Sequence, residues 1–99
     1  MEIIKSKTGD TLQVRPVGRL DTTTAPSLEQ TLSEELPTLK ELTFDLGALE
    51  YVSSAGLRVF LLTQKQINRE GKKMIVRNAA EEILNIFRIT GFAEFLTIE

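Results

Sequence analysis

The spacing of apolar residues changes several times along the chain, and each change predicts an element. Ile3-Ile4 and then Leu12 to Val17 read as two short strands around Thr8-Gly9-Asp10, where the glycine can take the positive φ of a tight turn. This is an opening hairpin. Pro16 has no N–H to give to a ladder, so it is expected near a strand end or on a side facing no neighbour. After Gly18-Arg19-Leu20-Asp21, the threonines Thr22, Thr23 and Thr24 lead into Ala25-Pro26, the form of a helix start with proline in its first turn. Ala25, Leu28, Leu32 and Leu36 recur at helical spacing and make one face core, and Pro37 closes the helix.

Leu42, Phe44 and Leu46 alternate with period two and predict the clearest strand. Gly47 to Val52 is expected to be a loop. Ser53-Ser54-Ala55-Gly56 then opens a second helix with Leu57, Phe60, Leu61 and Ile67 on its buried stripe, while Arg58, Lys65, Asn68 and Arg69 stay in water. Gly71 ends that helix in the manner of a left-handed cap, and Met74-Ile75-Val76 is a short apolar strand. A third helix is predicted from about Ala79 to Thr90, stopped by Gly91, and Leu96-Thr97-Ile98 reads as a last strand. Strands alternating with helices after a hairpin predict an α/β layer fold around a mixed sheet.

Composition narrows the chemistry. A chain of 99 residues, 41% hydrophobic, holds one compact domain, residues 1–99, and no second. A net charge of −2 with mixed signs throughout offers no basic field for nucleic-acid phosphates. No apolar run reaches bilayer-spanning length and no signal-peptide pattern opens the chain, so a cytoplasmic protein without membrane insertion is expected. The absence of histidine and cysteine removes imidazole bases, thiolate nucleophiles and the usual zinc ligands. No Gly-x-x-x-x-Gly-Lys-Ser/Thr loop and no Gly-x-Gly-x-x-Gly is present. The expectation is a protein that is not an enzyme and uses no cofactor or metal.

Ser53-Ser54-Ala55-Gly56 is the segment with the most chemical content. Small side chains leave a helix start reachable, and the first N–H groups of a helix lie unpaired at the positive end of its dipole, a favourable place for a phosphate. A phosphoserine there brings about −1.5 to −2 charge, held by the helix end and hostile to an acidic or apolar partner. The structural alternative makes Ser53 a simple N-cap worth about 1 kcal/mol and Gly56 a residue kept small for close strand packing. Likewise Asp21 can cap a turn and Thr23 or Thr24 the first helix.

Leu42 to Leu46, Leu49, Tyr51-Val52 and Ser53 to Leu57 together resemble the signature of STAS domains found in bacterial anti-sigma factor antagonists. Gly18-Arg19-Leu20-Asp21 with Thr24-Ala25, and Ile86 to Phe92, resemble two further stretches of that family in the same order. The resemblance implies a single-domain STAS fold, with helices mainly on one face of a mixed sheet. It also implies a partner switch that binds an anti-sigma factor with serine kinase activity, is released by phosphorylation and is reset by a phosphoserine phosphatase. The family's switch pattern is Asp-Ser-Ser-Gly-Leu or a close variant, with the first serine phosphorylated. Alignment on Gly56-Leu57 places that acceptor at Ser54, with Ser53 second. Here Ser53 stands for the aspartate and Ala55 for the second serine. The implied partner-binding residues are Asp21, Thr22, Thr23, Thr24, Ser53, Ser54, Ala55, Gly56 and Arg58. A STAS subunit of a membrane transporter complex and a non-phosphorylated scaffold are the alternative roles that the same resemblance allows.

Overall fold

The computed structural model describes residues 1–99. Strand β1 (Glu2–Thr8) turns at Gly9, which has φ +60°, into the long β2 (Thr11–Leu20). They pair antiparallel along all of β1, from Glu2 opposite Val17 to Thr8 opposite Thr11. Helix α1 (Ala25–Glu35) follows, with Pro26 in its first turn, and passes into a 3-10 turn at Leu36–Thr38. Then come β3 (Glu41–Asp45), β4 (Leu49–Val52), α2 (Ser54–Arg69), β5 (Lys73–Arg77) and α3 (Glu81–Ile89). Residues 71 and 91, both glycines with positive φ, close α2 and α3 as their positions in the sequence predict.

The sheet runs β1-β2-β3-β5, and β4 lies against the far half of β2. Thr11 to Val14 register in parallel with β3, while Gly18 to Leu20 register in parallel with β4, across a bulge at Gly18 and Arg19. Pro16 lies between these two stretches, so its missing N–H falls where β2 changes neighbours.

Alternation along the strands separates the two faces. Leu12, Val14 and Leu20 of β2, Leu42 and Phe44 of β3, and Met74 and Val76 of β5 are buried on one side, whereas Gln13 and Arg19 stand exposed on the other. The helices cover the first side. Phe60 of α2 sits edge-on between Phe44 of the sheet and Phe87 of α3, at ring distances of 5.0 and 5.9 Å, and Leu28 and Leu32 of α1 join the same core. All three helices therefore pack on one face of a mixed sheet.

Three sequence expectations change. Gly47 to Val52 is not a loop throughout, because Leu49–Val52 forms β4. Its buried ends flank two exposed residues, Glu50 and Tyr51, so the bulged register erases the period-two signal. Leu96 to Ile98 makes only a bridge of Ile98 to Val76, with two backbone bonds, rather than a strand. Leu61 lies at the flank of the buried stripe and is half-buried; Val59, Thr63 and Gln64 complete the enclosed side of α2.

Candidate functional site at the start of helix α2

Parallel pairing of β2 with β4 brings their carboxyl ends together, and the two loops leaving them lie side by side. Leu20 registers with Val52, and one residue further the Ser53 N–H donates to the Leu20 carbonyl at 2.9 Å. The segment Asp21 to Thr24 thus departs towards α1 from the place where Ser53 and Ser54 enter α2. This juxtaposition at the carboxyl edge of parallel strands is where α/β sheets commonly place binding sites.

The four small residues occupy four environments. Ser53 is the N-cap, extended at φ −93° and ψ 178°, and its carbonyl accepts the Leu57 N–H at 2.9 Å. Its hydroxyl makes no capping bond: Oγ is enclosed and has no hydrogen-bond partner. Ser54 is the first helical residue and is exposed. Ala55 is half-buried. Gly56 is buried, and a β-carbon built there would lie 2.7 Å from Leu20 Cγ and 2.8 Å from Val52 Cγ2. Glycine is therefore what lets the first turn of α2 rest on the ends of β2 and β4. Gly56 supports the site from beneath and forms none of its surface. Arg58 is exposed one turn further along and pairs with no carboxylate.

Asp21 to Thr24 close on themselves. Asp21 Oδ1 accepts from the Thr23 hydroxyl at 2.8 Å, the Thr23 N–H at 3.0 Å and the Thr24 N–H at 3.2 Å. Thr24 Oγ1 donates to the Arg19 carbonyl and accepts from the Asp21 N–H, each at 2.8 Å. The Thr23 hydroxyl bond, reinforced by the other donors, holds the Asp21 carboxyl below its ordinary value. Asp21 is thus the cap of its own turn. Thr24, although it stands at the N-cap of α1, turns its hydroxyl back to β2 instead of capping the helix. Thr22 and Thr23 are the exposed members.

Two neighbours of the site carried no signal in the sequence. Arg19 lies over the Tyr51 ring at 4.2 Å, an aromatic–cation contact between β2 and β4 on the face without helices. At the end of β3, Asp45 accepts from the Gly47 N–H at 2.9 Å and from Asn78 Nδ2 at 3.1 Å, which locks the adjacent turn. The Arg19–Tyr51 and Asp45–Asn78 contacts join residues about thirty positions apart, so neither follows from local spacing.

A mixed sheet with helices on one face, carrying an exposed serine at a helix start beside a self-capped loop, defines a small α/β domain with a loop-borne surface site. The STAS domain model matches residues 2–99, and the chain belongs to that family. It is 30% identical over 87 residues to the anti-sigma-B factor antagonist of Bacillus subtilis, covering 88% of this chain and 80% of that one. To the anti-sigma-B factor antagonist of Staphylococcus epidermidis it is 32% identical over 93 residues, covering 90% and 83%. In fold it is similar to the anti-sigma factor antagonist SpoIIAA in its unphosphorylated form, with a TM-score of 0.84 at 15% identity and coverage of 99% and 88%. The phosphorylated form of SpoIIAA, a Bacillus cell fate determinant, gives a TM-score of 0.79 at 15% identity, with 99% and 91% covered.

Proposed function

We propose that this protein is an anti-sigma factor antagonist, which binds an anti-sigma factor with serine kinase activity and is released when that kinase phosphorylates Ser54. A phosphoserine phosphatase resets it, and the cytoplasm is where such a cycle runs. The names of the relatives support the class of function. The observation that carries the choice of residue is the contrast between neighbouring hydroxyls: Ser54 is exposed at the first position of α2, while Ser53 Oγ is enclosed. A kinase can reach only a hydroxyl that protrudes.

A phosphate on Ser54 meets the unpaired N–H groups and positive dipole of the helix start, so the modified domain stays folded. The same phosphate places about two negative charges on the surface that Thr22, Thr23 and Arg58 share with it. The surface changes while the fold beneath it does not. The expected contacts of the partner are the exposed Thr22, Thr23, Ser54 and Arg58, with Asp21, Thr24, Ser53, Ala55 and Gly56 holding them in place.

The test presents the purified protein, with ATP, to each anti-sigma kinase of its own organism. Phosphate incorporation is expected to be stoichiometric in the parent and in Ser53→Ala, and absent in Ser54→Ala. Ser54→Ala should keep its affinity for the kinase, and Ser54→Asp should lose roughly a hundredfold, the scale of a like-charge clash at an interface. Phosphate uptake by Ser54→Ala, or equal binding by Ser54→Asp and the parent, overturns the assignment.

A further inference from the structure

The outward side of α2 differs from every other helical surface in the molecule. Starting from Ser54, the residues Arg58, Leu61, Leu62, Lys65 and Arg69 repeat at helical spacing along one stripe. Arg58, Lys65 and Arg69 are exposed, Leu62 keeps 46% of its surface accessible, and Leu61 is half-buried. Lys5, Lys40, Lys72, Arg77 and Arg88 each reach a carboxylate, but none of the three α2 cations does. No acidic residue occurs between Ser54 and Arg69. The chain as a whole is at −2, and α1 beside it carries Glu29, Glu34 and Glu35 without a cation.

Solvation alone does not call for this arrangement. A surface helix kept merely soluble gains from carrying both signs of charge, as α3 does with Arg88 bonded to Glu81 two turns away and to Asn85 at i,i+3. On α2 the charges share one sign from Arg58 to Arg69, over about 17 Å of helix, with leucines between them and the switch serine at one end.

We propose that this stripe docks an acidic face of the anti-sigma factor, with Leu61 and Leu62 meeting apolar side chains between the partner's carboxylates. The inference rests on the antagonist reading above and extends its surface from the first turn of α2 to the whole helix. Phosphate on Ser54 then acts on the stripe itself. It stands one turn from Arg58, at the i,i+4 separation where opposite charges pair, and so occupies that cation while setting a like charge before the incoming acids. A protein partner fits better than an anionic membrane, for which clusters of about four to eight basic residues are typical. Three cations on a net-negative domain fall short of that.

Titration with the anti-sigma kinase that phosphorylates the parent provides the test. The variant Arg58→Glu/Lys65→Glu/Arg69→Glu is expected to bind about tenfold or more weakly and to lose most of the salt dependence seen in the parent. Lys7→Glu, on the edge strand β1, should bind as the parent does. The amide footprint of the kinase on the labelled parent, read by NMR, should run through Leu62, Lys65 and Arg69, which decides the matter even where the triple variant folds poorly. A footprint confined to residues near Ser54, or a folded triple variant that binds like the parent, overturns the stripe. If Ser54→Asp still weakens binding in the same titration, only the stripe falls; if neither variant has an effect, the antagonist reading falls with it. Vesicles rich in phosphatidylserine should not retain the protein, and retention that the triple variant abolishes would assign the stripe to a lipid surface instead.

Discussion

Ser53 and Ser54 are adjacent and chemically identical, yet Ser54 is exposed while the Ser53 hydroxyl is enclosed. Backbone geometry makes the difference. The N-cap conformation directs Ser53 into the enclosed junction of β2 and β4, while Ser54, the first residue with helical geometry, faces out. Two residues on, Gly56 shows the same dependence on place. Alanine there would press its methyl against Leu20 and Val52 at 2.7 and 2.8 Å, and both are almost wholly buried, with accessibilities of 0% and 3%, so neither can swing aside. Gly56→Ala is expected to destabilise the domain by about 1–3 kcal/mol, the range for an overpacked core, and to lift the first turn of α2. Urea denaturation measures the first effect; altered amide protection through residues 54–57 in hydrogen exchange reports the second. The small residues at 53–56 were legible in the sequence, as were Ser53 at the N-cap and Gly56 as a close-packing position among the readings it allowed; that the Ser53 hydroxyl is enclosed and makes no capping bond was not, because that depends on strands distant in the chain.

At the scale of elements, α2 joins the site to the core. Its buried stripe holds Phe60 between Phe44 and Phe87 with interplanar angles of 86° and 88°, so one side chain ties the sheet, α2 and α3 together. Phe60→Ala removes both edge-to-face contacts and leaves a cavity, for an expected loss of about 3–5 kcal/mol. That is a large share of the stability of a small domain. Thermal unfolding should show it, and an unchanged midpoint would contradict the packing described. The elements themselves were mostly readable, since α1, α2, α3 and β3 each carry a regular apolar period and β5 a short continuous apolar run, with glycine or proline near their ends. β4 was not. With only Leu49 and Val52 buried and a bulge between register pairs, it has no period to read, and pairing with β2 alone makes it a strand.

For the whole molecule, charge sets the response to pH. Asp21 is held below its ordinary value first by the Thr23 hydroxyl, Asp45 by the Gly47 N–H and then Asn78 and Arg15, and Glu70 by the bond from Lys72 and then Gln66. A carboxyl depressed on folding contributes stability in full above its unfolded value, near 4, and that contribution disappears as pH falls through the folded value. All three shifts have the same sign. With no histidine in the chain, no side chain of ordinary pKa titrates between about pH 5 and 8. The urea midpoint is therefore expected to be level from about pH 8 to 5 and to fall below about pH 4. Equal midpoints at either end of that acid range would show that these hydrogen bonds do not form.

The sequence by itself determined the α/β class, the helical and strand periods that bury one face of each element, the exclusion of imidazole and thiol chemistry, and the likeness to STAS domains. These are properties of residues and of their near neighbours in the chain. Only the tertiary structure decided that β4 is a strand, that the loops after β2 and β4 meet, that Ser54 and not Ser53 is open to solvent, and that Gly56 supports the site from beneath. Each of these follows from parallel pairing between segments about thirty residues apart, where hydrogen bonds and close contacts join residues that no local pattern connects.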